Sequence, residues 1–487
     1  MKLTQIIKKL KADVYGSDQE ISSLEHNSKK VKKGSLFFAL KGSKFNGEDY
    51  VNEAIKNGAT AIVSQRKLEL PKGITNIVCK DEREAMSLCA SEFYGNPAQD
   101  LFIIGVTGTN GKTTSTYMLK SIFEQSGKKV GVIGTNGSFI GSQKLASELT
   151  TPDPINLQKI LKKMRDNGVE ILCMEISAHA LELQKIRGVT PDIALFTNLT
   201  QDHLDFFKNM ENYYQAKRQL FMKENAKYGV INYDDEYGKR LVNESQIDCL
   251  TYSRNEDLNS LLNTNIIALN QKHTNSGQDF IISTPNGQEN IHINLHGKFN
   301  ISNALGAISA ALLYGLDLKT IKQGLNNLQK VDGRFNFYDV NGVKVVIDYA
   351  HTPDGLENIL NAGQELTENS KLFAVFGCGG NRDKTKRKVM GKIATQSADF
   401  TIITSDNPRF ERPEDIANDI LEGVQSTSYT VILDRKKAIK AALNMAKPGD
   451  VVIIAGKGSE PYLEINGQKF EYSDESVIQE ILSELEK

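Results

Sequence analysis

The sequence predicts an α/β protein built as three consecutive domains. Three observations carry that reading. At 487 residues the chain exceeds what one hydrophobic core accommodates, and length alone suggests about three domains. The stretch Ile103-Ile104-Gly105-Val106-Thr107-Gly108-Thr109-Asn110-Gly111-Lys112-Thr113-Thr114 leads from a short apolar strand, Phe102 to Ile104, through a glycine-rich turn into a helix, Thr114 to Phe123. Beyond residue 331, continuous apolar runs alternate with helical stretches, the pattern of a parallel sheet covered on both faces.

Composition narrows the class. The chain is 39% hydrophobic and 24% charged with a net charge of −1. That is a globular composition without the basic surface of a nucleic-acid binder. No apolar run approaches the length of a membrane span, so no membrane insertion is expected. The cysteines, at 79, 89, 173, 249 and 378, lack zinc-ligand spacing. Cys79 and Cys173 lie in or at the end of apolar runs, as reduced thiols of a cytoplasmic protein do. Leu3, Ile6, Ile7 and Leu10 fall at helical spacing and predict an amphipathic N-terminal helix, not a signal peptide.

Residues 1–99 read as a small α/β unit, with strands at Leu36–Leu40 and Ala61–Val63 and a helix between them from Glu48 to Asn57. The polar tract Asn27-Ser28-Lys29 precedes the first strand and the loop Gly42–Gly47 follows it. Strand ends are where such sheets bind ligands, although ordinary turns explain these tracts equally well. Gly95-Asn96-Pro97 marks the boundary.

Residues 100–331 form the central unit. Its glycine-rich turn, Gly108 to Thr114, has the makings of a phosphate cradle. Glycines admit an anion to backbone N–H groups, the helix start adds its dipole, and Lys112 adds a point charge. Thr113 is placed to hold Mg²⁺. One position departs from the general pattern, with Val106 where a glycine is usual. A strand from Val169 to Met174 runs into Glu175, the position of a Mg²⁺ ligand in nucleotide enzymes, and Ser177 and His179 follow. A further strand, Ile193–Phe196, leads to Asp202-His203-Leu204-Asp205. There His203 suits either a capping role or, with Asp202 and Glu175, a metal site. On the helix Asn212–Met222, Lys217 shares the apolar stripe of Tyr213, Leu220 and Phe221. It either snorkels to water or points into the nucleotide site. Residues 250–295 read as a polar β excursion, and Gly297 to Asn303 opens a helix.

Residues 332–487 carry strands at Val345–Ile347, Leu372–Phe376, Phe400–Ile403, Val431–Leu433 and Val451–Ala455. Most end in polar clusters: Asp348 to His351, Gly377 to Asp383, Ser405 to Arg409, Gly456 to Glu460. Several such ends on one sheet make a binding face. A phosphate cradle and a separate binding face together suggest ATP-dependent joining of two substrates.

The set Thr107–Thr114, Glu175–His179, Thr197–Asp205 and Asp348–Pro353 resembles the Mur ligases, which make bacterial cell-wall precursors, in all three domains. It is most similar to the branch that adds a diamino acid to UDP-N-acetylmuramoyl-L-alanyl-D-glutamate. The resemblance implies an N-terminal UDP-binding α/β domain, a central ATP-binding P-loop parallel-sheet domain and a C-terminal Rossmann-like α/β domain for the amino acid. Ser28 would contact the UDP moiety, and Thr150, Thr151, Ser177 and Lys185 the muramoyl dipeptide; Lys185 stands where Arg is frequent. Gly108, Thr109, Asn110, Gly111, Lys112, Thr113 and Thr114, with Asn300, Arg334 and Asp348, would hold ATP. Thr113, Glu175 and His203 would hold Mg²⁺. Lys112, Lys217, Glu175 and His203 form the implied catalytic set, with Lys217 carried as N6-carboxylysine.

Asp406-Asn407-Pro408-Arg409 resembles the form in enzymes adding meso-diaminopimelate, which is lysine with a second carboxylate. An arginine fork clamps that carboxylate and would be stranded by lysine. Arg382, Gly456 and Glu460 complete the implied amino-acid site. Asn381 and Ser459 depart from the Asp and His frequent in relatives. The implied reaction runs through an acyl phosphate on a monomeric, cytoplasmic enzyme. The alternatives are the same reaction with L-lysine, a folylpolyglutamate synthase-like ligase, and a non-catalytic nucleotide-binding regulator.

Overall fold

The computed structural model describes residues 1–42, 45–146, 149–260, 266–285, 287–367 and 370–485. Within them the strands form sheets of five, eleven and six strands and one two-stranded hairpin. Among the described residues no helix is long and apolar enough to cross a membrane.

The five-stranded sheet runs in the order Ala12–Tyr15, Thr75–Cys79, Ala59–Ser64, Ser35–Phe38, Ser23–Glu25, parallel except for its first strand. Both strands expected here are present in its middle. The expected helix starts as a 3₁₀ turn, Gly47–Tyr50, and becomes α-helical over Val51–Lys56. Ser43 and Lys44 of the Gly42–Gly47 loop lie outside the described residues. The amphipathic N-terminal helix is shorter than its spacing predicts, Leu3–Ile6 only. The chain turns after Ile7 so that Lys8 and Lys9 reach the buried carboxylate of Glu92 at 2.9 and 2.7 Å. That pairing competes with another helical turn, and Leu10 packs on the same core from outside the helix.

In the eleven-stranded sheet, the strand Phe102–Thr107 lies between Ile171–Glu175 and Ile193–Phe196, parallel to both. Parallel pairing extends from Val130–Gly134 to Ile266–Thr274. The sheet is not parallel throughout, as the sequence suggested. Antiparallel strands extend both edges: Gly137–Ile140 and Gln143–Leu145 on one, Gly277–Thr284 and Gly287–Ile293 on the other. The second edge is the polar excursion expected over 250–295, of which 261–265 and 286 lie outside the described residues. Its alternation follows burial: Ile291 and Ile293 face the core and His292 does not. The helix Lys112–Gln125 leaves the central strand and packs under Phe299–Tyr314 and Leu318–Asn327.

The six-stranded sheet runs Asn336–Val340, Val343–Asp348, Val451–Ala455, Leu372–Phe376, Phe400–Ile403, Tyr429–Val431. Only the first strand is antiparallel. The edge strand sits two residues before its expected place at Val431–Leu433. Asp434 caps the helix Arg435–Met445 through the N–H of Lys437, which draws the chain off the sheet early.

Candidate active site

The departure at Val106 has a structural reason. Val106 is still sheet, fully buried and in register with Glu175 and Leu195. The loop begins at Gly108, where φ is +152° and a Cβ would lie 1.8 Å from Thr197 Oγ1. At Gly111, φ is +86° and a Cβ would lie 2.3 Å from Asn303 Oδ1. Only glycine fits either position. The N–H groups of Thr109 and Asn110 donate to Asn198, and Thr197 Oγ1 donates to Asn110 O at 2.6 Å. The loop is thus strapped to the end of the neighbouring strand, with a 14-residue helix starting at Lys112.

Two lysines converge on one carbonyl. Lys112 Nζ donates to Gly108 O at 2.9 Å and Lys217 Nζ donates to the same oxygen at 2.8 Å. Lys112 also donates to Thr109 O, and Lys217 lies over the ring of Tyr213. Lys217 is 1% exposed, so it does not snorkel to water. Burial, then the Lys112 ammonium, holds its amine well below the ordinary lysine range. Burial also lowers Lys112. Neither lysine has an ion-pair partner among the described residues, in a site whose helix N-terminus already favours an anion.

The carboxylate of Glu175 faces this loop. Its Oε1 accepts from Thr113 Oγ1 and from the N–H of Thr135, both at 2.8 Å. Arg334 Nη2 donates to Thr113 Oγ1 at 3.0 Å. His203 has a left-handed backbone, φ +57°, and its side chain makes no capping bond. Its Nε2 lies 3.3 Å from Asp202 Oδ2, and its ring packs on His179 and on Tyr213. Burial pushes its imidazole down to about 3, against the pull of Asp202, so it is neutral at physiological pH. Tyr213 touches both His203 and Lys217 and links the two.

Two cavities meet at Arg334. One, of about 250 Å³, is lined by Asn110, Gly111 and Thr114 together with Asn300, Arg334 and Asp348. Asp348 is not a free carboxylate: its oxygens accept from the N–H groups of Phe335 and Ala350, and burial raises its pKa. Asn300 is likewise engaged, donating to His296 O and accepting from Asn303. The other cavity, of about 410 Å³, is lined by Thr135, Thr150, Arg334, Tyr349, Glu460 and Lys469. Thr150 shares a hydrogen bond with Thr135, and Thr151 donates to Glu175 O and contacts Ser177.

Contacts across the central and C-terminal sheets close the site, and these the sequence did not reveal. Asn110 Nδ2 donates to Asp354 at 2.7 Å, and Ser459 Oγ donates to Asn136 at 3.2 Å. Lys386 Nζ donates to Asp202 Oδ1 at 3.0 Å, with both groups about 5% exposed. Burial opposes ionisation of Asp202, but Lys386 and the histidines hold it well below the usual carboxylate range. Thr135 was also missed, although its place just after the strand Val130–Gly134 was a usable signal.

The C-terminal motif is folded into a polar network. Asn407 donates to Glu460 Oε2 at 2.7 Å and accepts from the buried Lys457. Lys457 pairs with Glu460 at 2.7 Å, Asp406 accepts the N–H of Asn407, and Gly456 N donates to Asp348 O. Arg409 already has a carboxylate partner: its Nε donates to Glu464 Oε2 at 3.1 Å. Lysine in the site would therefore not strand this arginine completely, as the sequence argument had it. Arg382 is exposed and donates to Asn381 O. Asn381 has φ +52°, a conformation asparagine tolerates well.

In the N-terminal unit, Ser28 is buried and its hydroxyl is committed to Glu53 Oε2 at 2.6 Å. Two residues away, His26 is lowered by burial and feels Asp153, Arg83 and Lys185. Lys185, on the central unit, is itself lowered by burial and attracted to Asp153.

Known proteins resolve what this arrangement belongs to. The model of the Mur ligase middle domain matches residues 106–311, that of the Mur ligase glutamate ligase domain matches 333–458, and that of the Mur ligase family catalytic domain matches 20–94. The chain belongs to the Mur ligase family. This Mur ligase is 42% identical to UDP-N-acetylmuramoyl-L-alanyl-D-glutamate--2,6-diaminopimelate ligase 1 of Clostridium acetobutylicum, over 100% of both chains. It is 43% identical to the corresponding ligase of Clostridium botulinum, again over 100% of both. A solved structure of a ligase of that name covers 96% of each chain with a TM-score of 0.67 and 32% identity. The match of the N-terminal segment and the full-length coverage tell against a folylpolyglutamate synthase-like ligase.

Proposed function

We propose that this Mur ligase uses ATP to join meso-2,6-diaminopimelate to UDP-N-acetylmuramoyl-L-alanyl-D-glutamate in cell-wall precursor synthesis. The observation that carries the reaction class is Lys112, which bonds Gly108 O and Thr109 O in the glycine loop and has no carboxylate partner among the described residues. An unpaired cation at a helix start forms a niche for phosphate. The names of the relatives support the choice of substrates. Residues 1–99 take the UDP moiety with Ser28, residues 100–331 the ATP, and residues 332–487 the amino acid. Thr150, Thr151, Ser177 and Lys185 hold the dipeptide.

The geometry supports a sequence of two displacements. An oxygen of the D-glutamate γ-carboxylate attacks the γ-phosphorus of ATP, the bond to ADP breaks, and an acyl phosphate forms. The neutral amine of diaminopimelate then attacks the acyl carbon; phosphate leaves and the amine loses a proton, giving the amide. Arg334 lines both cavities and so stands where the phosphoryl group passes between substrates. Lys112 neutralises charge on the transferring phosphoryl group, and the closed contacts at Asn110, Asp202 and Lys386 keep water out. The hydroxyl of Thr113 and the carboxylate of Glu175, 2.8 Å apart, are hard oxygen donors that fit Mg²⁺; His203, whose Nε2 faces Asp202, joins the proposed set on the family resemblance alone. When bound, Mg²⁺ supplies charge neutralisation for the phosphates.

Lys217 is suited to carboxylation. Burial and the neighbouring Lys112 ammonium hold its pKa well below the ordinary lysine range, which raises the share of neutral amine, the form that adds CO₂ with release of a proton. The resulting N6-carboxylysine would replace a second cation beside Lys112 with an anion. Protein equilibrated with ¹³C-bicarbonate should show a carbamate ¹³C resonance that Lys217→Met removes; its absence from wild type would exclude the modification.

L-Lysine as the added amino acid is the second reading, favoured by the Glu464 partner of Arg409. Purified protein with ATP and the UDP-linked dipeptide, supplied with each amino acid in turn, separates them. Diaminopimelate should win by about a hundredfold or more in kcat/KM. Equal turnover would remove the role of Arg409 as the selector.

A further inference from the structure

The hairpin Tyr462–Ile465 and Gln468–Glu471 stands apart from the three large sheets. The hairpin grips the Asn407–Arg409 turn at four points. Glu464 N donates to Asn407 Oδ1 at 2.8 Å, and Arg409 N donates to Glu464 O at 3.0 Å. Asn466 N donates to Arg409 O at 2.7 Å, and Arg409 Nε donates to Glu464 Oε2 at 3.1 Å. Arg409 has φ +53°, a left-handed backbone that is unfavourable for arginine. Such a conformation persists where its surroundings over-determine it, and the hairpin does so.

The bonds also decide which edge of the guanidinium is free. Arginine carries five N–H donors in a planar fork. Here Nε is spent on Glu464 and one Nη1 hydrogen on Gly380 O at 2.9 Å. The remaining donors are on Nη1 and Nη2. With Nε taken, the side-on fork across Nε and Nη2 is closed, and any two-bond approach left to a carboxylate is end-on, across the two Nη atoms. The side chains of Arg409 and Glu464 are 16% and 24% exposed, so their pair is shielded enough to hold this orientation.

We propose that Glu464 is a positioning residue for amino-acid selection: from the hairpin it pins Arg409 side-on, so that the guanidinium offers its Nη edge to the distal carboxylate of the incoming diamino dicarboxylic acid. The inference rests on the proposed function, which makes Arg409 the carboxylate clamp.

The test compares Glu464→Leu and Glu464→Gln with wild type in steady-state assays varying each substrate, with thermal melts alongside. Losing one charge-assisted bond predicts about a tenfold rise in the KM for diaminopimelate in the Leu variant. Its kcat and its KM for ATP and for the UDP-linked dipeptide should stay near wild type. The Gln variant keeps an acceptor oxygen for Nε and should recover most of the loss. An unchanged KM for diaminopimelate in Glu464→Leu would overturn the inference and leave the proposed function standing. So would a joint rise of all three KM values with a lowered melting temperature. Wild-type protein that takes lysine as readily as diaminopimelate would overturn both.

Discussion

Lys112→Met should lower kcat by about 10²–10³-fold, the usual loss when one donor to developing charge is removed. The substitution keeps the length and apolar bulk of the side chain, so the loop should keep its shape. Stability should not fall with activity. Burial lowers the pKa of Lys112, so its ammonium costs folding free energy throughout the range below the unfolded-state value, neutral pH included. Removing that charge removes the cost, and with it the competition of two lysine side chains for Gly108 O. A melting temperature at or above wild type together with lost turnover is the expected pair of results. Near-wild-type turnover in this variant would refute Lys112 as the phosphate-binding lysine and reopen the non-catalytic reading.

Asp474→Ala should destabilise the C-terminal sheet by about 3–5 kcal/mol, because it strands a buried guanidinium. Arg435 and Asp474 are 1% and 0% exposed and meet through two bonds of 2.8 Å. Arg435 also donates to Ala455 O at 3.0 Å and to Ser405 O, so the pair buttresses the strand ends just before Gly456 and Asp406. Urea unfolding followed by a probe in residues 332–487 reads the effect, and diaminopimelate binding should weaken at lower denaturant than in wild type. The double variant Arg435→Met/Asp474→Leu should recover most of the stability, since an apolar pair leaves no unpaired charge. A loss under about 1 kcal/mol in Asp474→Ala would mean that water reaches Arg435 after all.

What the sequence determined by itself is local. The strand, glycine turn and helix of the phosphate loop were legible because adjacent residues carry them, and so were the apolar strands of both larger sheets. The lysine on the apolar face of the helix Met210–Arg218 was visible as an anomaly for the same reason. Its meaning was not, since its partner, Gly108 O, lies 109 residues away. Periodicity places a side chain on a face; only packing decides whether that face meets water or another element. The same limit hid the clasp of Asp202 with Lys386, 184 residues apart, and that of Asn110 with Asp354, 244 apart. The N-terminal helix was overdrawn because the spacing of Leu3 to Leu10 could not anticipate the pull of Glu92 on Lys8 and Lys9. Arg409 shows the division most clearly. Its place in Asp406-Asn407-Pro408-Arg409 marked it from sequence as a carboxylate clamp. The tertiary structure decided that a second carboxylate, on a hairpin 55 residues further along, already holds one edge of the fork. Chemistry is written in residue types and survives in a one-dimensional reading; electrostatic partnership depends on distance, which only the folded chain sets.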